Sequence, residues 1–435
     1  MSREAPTRIR WRIIALIFVV YVLMFFDRVN ISIAAKYIMP EYGLSKVEFG
    51  VIFSAFVMAY ALAQVPGGWL GDRYGPRRVM TWAIVWWSVF TALTALAGES
   101  FLVPWLGVVG SFVVVRALIG LGEAAAPANG NRMVANWSAP RERALAAGLT
   151  LAGTSIGGAL TPPLIVWIMT HWGWREAFHL AGAAGLVVAL LWYWLSADTP
   201  AEHPRVNAQE RALIGLGSTP APTQSRGAVP WRRIFASRDL WCLSGAYAVL
   251  GYNVYFYLAW FYLYLVNERG FSLEAGGIYT MAPFLTMALA GPLGGWLSDA
   301  LVARRGKRLG RSGLGGACML VTGVLVTAGA TTPSATLAVV LLAASTGTLV
   351  LSVAAFWATT IDLSHRYAGI TAGVMNMGGN LGGALSPTLM PWLAERHGWQ
   401  VSLYVMGALS LLGALCWAGI RPERGIDAED AVIAA

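Results

Sequence analysis

Runs of about 20 consecutive apolar residues recur along the whole chain. Each is long enough to cross a bilayer as a helix, and nothing else in the sequence restricts the fold as much. In hydrocarbon every backbone N–H and C=O must be satisfied within the protein, which leaves helices or closed barrels. The runs are twice the length of a barrel strand, so the expected fold is an all-α polytopic membrane protein. Composition agrees: 57% of the 435 residues are hydrophobic and 12% charged, against about 25% charged in soluble domains. Twelve spans are expected, at 13–38, 47–70, 79–97, 102–127, 143–170, 176–196, 240–266, 273–298, 313–331, 335–361, 367–394 and 400–420. The first run follows a basic segment, and Asp27-Arg28 rather than a small-residue cleavage site lies along it. It therefore reads as a retained span, not a signal peptide.

The net charge of +9 does not indicate nucleic-acid binding, because the basic residues fall in short connections between spans. Connections on the side of the termini hold 24 Lys and Arg; those opposite hold Lys36, Lys46, Arg175, Arg269 and Arg396. Positive charge collects on the cytoplasmic side, so both termini are expected in the cytoplasm and the protein in the cell's inner (plasma) membrane. One connection is long, about 197–238. It is expected to be a cytoplasmic linker between an N-terminal half (1–196) and a C-terminal half (239–435). Within it, residues 207–217 (NAQERALIGLG) read equally as a short amphipathic helix or as solvated chain.

The halves repeat. Gly67-Gly-Trp-Leu-Gly-Asp72 matches Gly294-Gly-Trp-Leu-Ser-Asp299, 227 positions on. IGGALTP (156–162) matches LGGALSP (381–387), and Gly173-Trp174 matches Gly398-Trp399, both 225 apart. Repeats of this kind place a transport site near the midplane, between halves that rock. Glycines crowd the fifth span (Gly148, Gly153, Gly157, Gly158) and the eleventh (Gly373, Gly378, Gly379, Gly382, Gly383). They suit either sliding or static close packing.

Four charges lie inside spans: Asp27 and Arg28 in the first, Arg116 and Glu123 in the fourth. Each costs roughly 2.5–3.5 kcal/mol to insert and usually faces a cavity on a substrate or proton path. Arg116 and Glu123 are seven apart, on nearly one helix face and about 10 Å apart along the axis. Gly120 lies between them on that face and is expected to leave room for a ligand. A guanidinium offers a fork that fits a carboxylate, so Arg28, supported by Arg116, is assigned to an anionic substrate. A purely structural Arg116–Glu123 ion pair is the alternative. Desolvation and the arginines act oppositely on Asp27 and Glu123, which poises them to take and release a proton; that Asp27 only orients Arg28 is the lesser alternative.

Other polar residues inside spans are candidates too. Gln64 lies one turn from Tyr60 and reads as a ligand contact or as a packing residue. Offsetting Asp27 by the repeat lands near Asn253, in a seventh span that carries no charge. The second half thus offers amides where the first offers acids. Asn376 and Asn380, four apart, are suited to reading hydroxyls, since amides both donate and accept. Trp357 is placed either to stack on a ligand or to pack.

Residues Gly68-Trp-Leu-Gly-Asp72-Arg73-Tyr-Gly75-Pro-Arg77-Arg78 resemble the loop signature of the major facilitator superfamily. Three further segments resemble its anion:cation symporters: Phe26-Asp27-Arg28-Val-Asn30-Ile-Ser32, Arg116-Ala-Leu-Ile-Gly120-Leu-Gly122-Glu123 with Pro127, and the stretch from Asp198 to Glu210. The resemblance covers essentially the whole chain and implies a carrier of sugar acids, such as galactonate, glucarate or hexuronates, or of other small organic acids. It further implies proton coupling at Asp27 and Glu123, direct substrate contact by Arg28, a tuning role for Arg116, and substrate contacts at Tyr60 and Asn376. Asp72, Arg73 and Arg77 would then latch the cytoplasmic side. Asp299 answers Asp72, but Ala-Leu-Val-Ala separates it from Arg304, so a weaker latch is expected there.

Rival functions fit less well. An organophosphate antiporter calls for a basic residue in the seventh span, which has none. A drug:proton antiporter calls for a Gly-Pro step where Ile156-Gly157-Gly158 stands. A non-transporting sensor gives no reason to retain buried charges. No nucleophile–base pair, phosphate-binding loop or metal-ligand spacing occurs, so an enzyme or a primary pump is not expected, and neither is a cofactor. The cysteines, Cys242, Cys318 and Cys416, read as packing residues. The expected partners are a small organic anion, a proton and the lipid bilayer, with a monomer as the working unit. Sodium remains open as the coupling ion.

Overall fold

A computed structural model describes residues 5–139, 141–215, 231–364 and 367–423. The TPAPTQS stretch (219–225), His365, Arg366 and Arg424 lie outside the described residues. The described chain is helical: α1 (Ile9–Tyr42), α2 (Lys46–Tyr74), α3 (Pro76–Thr94), α4 (Val103–Glu123), α5 (Ala125–Trp137), α6 (Arg143–Trp172) and α7 (Trp174–Leu195), then short α8 (Ala208–Gly215) and α9 (Trp231–Ala236). There follow α10 (Arg238–Ala259), α11 (Phe261–Asn267), α12 (Leu273–Lys307), α13 (Leu314–Thr331), α14 (Ala335–Leu351), α15 (Val353–Leu363), α16 (Ala368–His397) and α17 (Trp399–Gly419).

These make the twelve expected spans; the seventh is bent, and the fourth and tenth are each interrupted at a single residue, Ala124 and Ser352, whose backbone stays in the right-handed helical region. Eight continuous helical runs are apolar and long enough to cross a bilayer by themselves. One of them, Leu273–Thr331, holds two spans, and the pair α10–α11, bent by 52°, makes another. The two left over are α3, rich in tryptophan, and α16, rich in glycine and asparagine, whose side chains lower hydropathy without disfavouring burial. Two expected ends fall short by nine residues or more: the fourth span runs on to Trp137 rather than 127, and α12 to Lys307 rather than 298. Hydropathy fades where a helix leaves the apolar layer, but its hydrogen bonding continues.

The break in the fourth span follows from Pro127. Proline supplies no N–H to the carbonyl four residues back, and its ring crowds that carbonyl. Here that is the carbonyl of Glu123, so α4 ends on Glu123 and the chain steps at Ala124. The tenth span breaks at Ser352, 228 positions later, with no proline to announce it.

Matched contacts carry the repeat into three dimensions. In one compact unit, a Cβ on Gly153 would meet the Phe18 carbonyl oxygen at 2.6 Å and one on Gly157 that of Val22 at 2.6 Å. In the other, Gly378 meets the Ser244 carbonyl oxygen at 2.5 Å and Gly382 that of Ala248. The glycine face of α6 therefore lies on α1 as that of α16 lies on α10, while Gly148 and its counterpart Gly373 have open space. Gly173 (φ 95°) and Gly398 (φ 84°) each turn the chain left-handed before a buried tryptophan, Trp174 or Trp399. Only glycine takes up that conformation readily. Gly75 (φ 85°) finds its equivalent in Gly306 (φ 80°); the extra Ala-Leu-Val-Ala adds about one helical turn.

The compact units are residues 1–34 with 55–227, and 35–54 with 228–435. In the first, the described part of the segment 207–217 takes the helical alternative as α8 (Ala208–Gly215), residues 216–217 lying outside the described residues, and is anchored by Glu210, which is fully buried. Glu210 accepts from the Thr7 hydroxyl (2.6 Å), the backbone N–H groups of Ile9 and Arg10 (both 3.1 Å) and the Arg10 guanidinium (2.9 Å). Arg10 also donates to Glu142 at 2.7 Å. Burial alone would raise the Glu210 carboxyl, but these bonds outweigh it and hold the group below its usual range.

Candidate functional site

The first unit gathers the intramembrane charges of α1 and α4. Arg28 Nε donates to Glu123 Oε2 at 2.8 Å. Glu123 is 0% exposed, Asp27 and Arg116 each 2%, and Tyr60 8%. Three rings enclose the Arg28 guanidinium, with centroids at 4.5 Å (Tyr60), 5.2 Å (Phe56) and 5.4 Å (Phe25). Arg116 lies over the other side of the cluster, 4.7 Å from the Phe56 centroid. Aromatic faces attract cations, more so where water is excluded. Asp27 lies within electrostatic reach of Glu123, Arg116 and Arg28, and the Thr91 hydroxyl of α3 faces it without reaching hydrogen-bond geometry.

Two carboxylate oxygens here, Asp27 Oδ1 and Glu123 Oε1, are buried with no hydrogen-bond partner among the described residues. A buried polar atom left in this way costs roughly 1–3 kcal/mol. The cluster thus holds two buried acids, one bonded to a guanidinium, each with an oxygen able to accept a proton or a water.

One expectation is overturned. Gly120 does not leave space for a ligand: a Cβ there would overlap the Phe56 carbonyl oxygen and come within 3.2 Å of the Tyr60 nitrogen. Its bare face lets α4 press on α2 and so brings Arg116 and Glu123 against Phe56 and Tyr60. Gln64, one turn beyond Tyr60, is half-buried.

The remaining candidates stand in the second unit. Asn253 is fully buried and its amide is in use: Nδ2 donates to the Val249 carbonyl at 2.8 Å, and Oδ1 accepts from the Ser410 hydroxyl at 3.3 Å. The Ser410 bond joins α10 to α17, and the Val249 bond uses one of the two amide N–H groups. Asn376 and Asn380 share a face of α16 and are half-buried. Trp357 is 43% exposed and meets Tyr247 edge-on at 6.3 Å.

The loop residues make local ties. Asp72 pairs with Arg132 of α5. Arg73 lies 5.6 Å from the rings of both Trp69 and Tyr74. Arg77 donates through its guanidinium to the Tyr193 carbonyl (2.5 and 3.1 Å) and through its backbone N–H to Asp198 Oδ1 (2.6 Å). The loop after α2 and the segment that opens with Asp198 are thus bonded to each other. In the second unit Asp299 pairs with Arg311 at 2.9 Å, and Arg311 also reaches Asp362 at 3.4 Å.

Sequence reasoning missed Phe56, Thr91, Arg132 and Arg311. Phe56 carried a signal, since Phe56, Tyr60 and Gln64 recur every four residues along one face of α2. Thr91 and Arg132 had none, because the groups they face, Asp27 and Asp72, are distant in sequence; Arg311 stands 12 residues from Asp299, beyond the reach of one helix face. Among the described residues no group of three or more His, Cys, Asp or Glu is arranged to hold a metal.

The profile of the Major Facilitator Superfamily matches residues 17–387, and again 365–432. The chain belongs to the Major Facilitator Superfamily. It is accordingly a multi-pass membrane transporter. A probable sulfoacetate transporter of Cupriavidus necator is 35% identical over 97% of this chain and 96% of its own length. A D-galactonate transporter of Escherichia coli is 31% identical, over 96% of both chains. The fold is also that of a crystallised bacterial homolog to the human lysosomal transporter Spinster, with a TM-score of 0.76, 20% identity, and 95% and 97% of the two chains covered. A D-xylose-proton symporter superposes with a TM-score of 0.73 at 15% identity, covering 95% and 99%. At such identities the likeness concerns the fold alone.

Proposed function

We propose that this transporter is a secondary active symporter that takes up a small organic anion with protons by alternating access. A sugar acid such as galactonate or glucarate is the first candidate substrate. The observation that carries this reading is the Arg28–Glu123 bond inside an aromatic enclosure, next to a second buried acid. An incoming carboxylate competes with Glu123 for the Arg28 fork. If it displaces Glu123, a buried carboxylate loses its cation, and keeping that charge unpaired costs several kcal/mol. Protonation removes the cost. Anion binding at Arg28 and proton binding at Glu123 thereby favour each other, which is the coupling a symporter needs.

On this reading Asp27 is a second proton site, and Arg116 supports the substrate anion and tunes Glu123. Tyr60 and Gln64 line the anionic end, and Asn376, Asn380 and Trp357 read the uncharged part of the solute. Asn253 adds a further amide contact to that part through its second N–H. Asp72, Arg73, Arg77 and Asp299 gate the cytoplasmic side. The moving bodies are the halves 1–196 and 239–435, joined by the linker 197–238. The protein works as a monomer in the inner membrane with both termini in the cytoplasm.

The similarity to a probable sulfoacetate transporter favours a second reading, a small sulfonate, whose anionic group suits the same guanidinium but which carries no polyol. Counterflow in proteoliposomes separates the two. Labelled galactonate and glucarate should exchange and sulfoacetate should not compete; competition by sulfoacetate alone selects the second reading. Exchange of none of them contradicts both.

A further inference from the structure

The cluster just described uses the interior of the first unit. A separate cavity of about 320 Å3 lies on its surface, between α1 and the exit of α7. Arg12, Ala15, Leu16 and Val19 line it from α1, a spacing that sets them on one helix face. From Arg12 to Val19 that face extends about 10 Å along the axis, charged at one end and apolar beyond. Leu195 forms the facing wall, and Arg205 comes in beside Arg12 from the segment after α7.

Both arginines are exposed, and neither forms an ion pair among the described residues. No acidic residue lines the cavity. His203, also at the wall, adds no charge: burial foremost holds its imidazole below the usual range. Its Nδ1 instead accepts the Arg205 backbone N–H at 3.2 Å, and its ring stands edge-on to Trp137 at 5.6 Å. Arg205 is thereby held at the mouth. Two other apolar grooves on the molecule each end at one arginine, Arg78 or Arg308. Neither of those two presents a second.

We infer that this cavity binds an anionic phospholipid, with the phosphodiester between Arg12 and Arg205 and the start of an acyl chain in the trough over Leu16 and Val19. Paired guanidiniums match the charge and oxygen geometry of a phosphodiester, and basic pockets between membrane helices suit anionic headgroups. A soluble phosphate would leave the apolar trough unused. A zwitterionic lipid would bring its own cation against two arginines. The bound lipid would sit next to the bonds of Arg10 with Glu210 and Glu142, and would steady the seam where α1, α8 and the start of α6 meet.

The test uses the full chain purified in detergent, with palmitoyl-oleoyl phosphatidylglycerol or phosphatidylcholine added, read by thermal shift and by lipid retention in native mass spectrometry. Phosphatidylglycerol is expected to be retained and to raise Tm, phosphatidylcholine and sn-glycerol 3-phosphate not. The Arg12→Gln/Arg205→Gln variant should lose about 25-fold in phosphatidylglycerol affinity, from about 5-fold for each arginine. Arg78→Gln should change it less than twofold. Val19→Trp blocks the trough without altering charge and should weaken retention as well, so it reads the site even if the double variant does not fold. Equal effects of the two lipids, full retention by both the double and the Trp variants, a loss at Arg78→Gln as large as in the double variant, or an equal shift with glycerol 3-phosphate would each overturn the inference.

Discussion

Arg28 Nε and Glu123 Oε2 stand 2.8 Å apart and tie α1 to α4. Arg28 is 11% exposed at its side chain and Glu123 not at all. A pair so enclosed contributes little net stability, because desolvation offsets the attraction, but removing one partner strands the other. Retaining it therefore points to a use beyond holding the fold.

The fork of Arg28 is predicted to matter more than its charge. Arg28→Lys keeps a cation but loses the planar pair of donors. A charged hydrogen bond contributes about 1.5–3 kcal/mol, so KM for the anion should rise about 10- to 100-fold while the protein remains folded. Uptake kinetics on the variant check this; an unchanged KM would remove Arg28 from the binding site.

Gly120 and Gly148 should respond in opposite ways to alanine. At Gly120 the new methyl overlaps the Phe56 carbonyl oxygen, and forcing α4 away from α2 should cost about 1–3 kcal/mol. At Gly148 nothing lies within 4 Å, and in a helix Ala exceeds Gly by roughly 0.5–1 kcal/mol. Thermal unfolding in detergent should show a lower Tm for Gly120→Ala and an equal or higher one for Gly148→Ala.

Pro127→Ala restores an N–H able to bond the Glu123 carbonyl and so close the step at Ala124. The helix should gain stability, and Glu123 should turn away from Arg28. The expected outcome is an unchanged or raised Tm together with at least about a tenfold loss of transport, since a small misplacement at a site can cost 10²-fold. Full transport by this variant would show that the break serves no function.

The Glu210 anchor predicts an acid-sensitive seam. Its carboxyl is held below the usual 4.5 in the folded protein. The stability it contributes is therefore present above about pH 4.5 and lost as pH falls through the lowered folded value. His203, held below its usual 6.5, acts with the same sign: its contribution is full above 6.5 and declines on acidification. Tm of the wild type should fall as pH drops below 6.5 and further below 4.5. Glu210→Ala should cost roughly 2 kcal/mol at neutral pH, between a surface and a fully buried pair, and lose the lower step. Parallel Tm curves for the two proteins would contradict this.

Sequence made the membrane fold and the charged cluster legible for one physical reason: charge inside hydrocarbon is expensive and so conspicuous. Asp27, Arg28, Arg116 and Glu123 stood out at once, and the structure brings them together in one unit. What neighbours supply stayed hidden. Gly120 lies on the right face for a ligand, yet spacing within one helix does not reveal that the α2 backbone occupies that face. The bond from Ser410 to Asn253 spans 157 residues. The bonds from Glu210 to Thr7 and Arg10 bridge about 200 residues, beyond any local pattern. The interruptions at Ala124 and Ser352 were not read from the sequence, although Pro127 stands three residues after the first.

The most direct test of coupling at Glu123 compares wild type with Glu123→Gln in proteoliposomes, using labelled galactonate and glucarate, an inward proton gradient and no sodium. Glutamine keeps the shape of the side chain but cannot exchange a proton. The prediction is that wild type accumulates the acid as protons run down their gradient, while Glu123→Gln loses accumulation and keeps counterflow exchange. Gradient-driven accumulation by Glu123→Gln at the wild-type level would contradict the account.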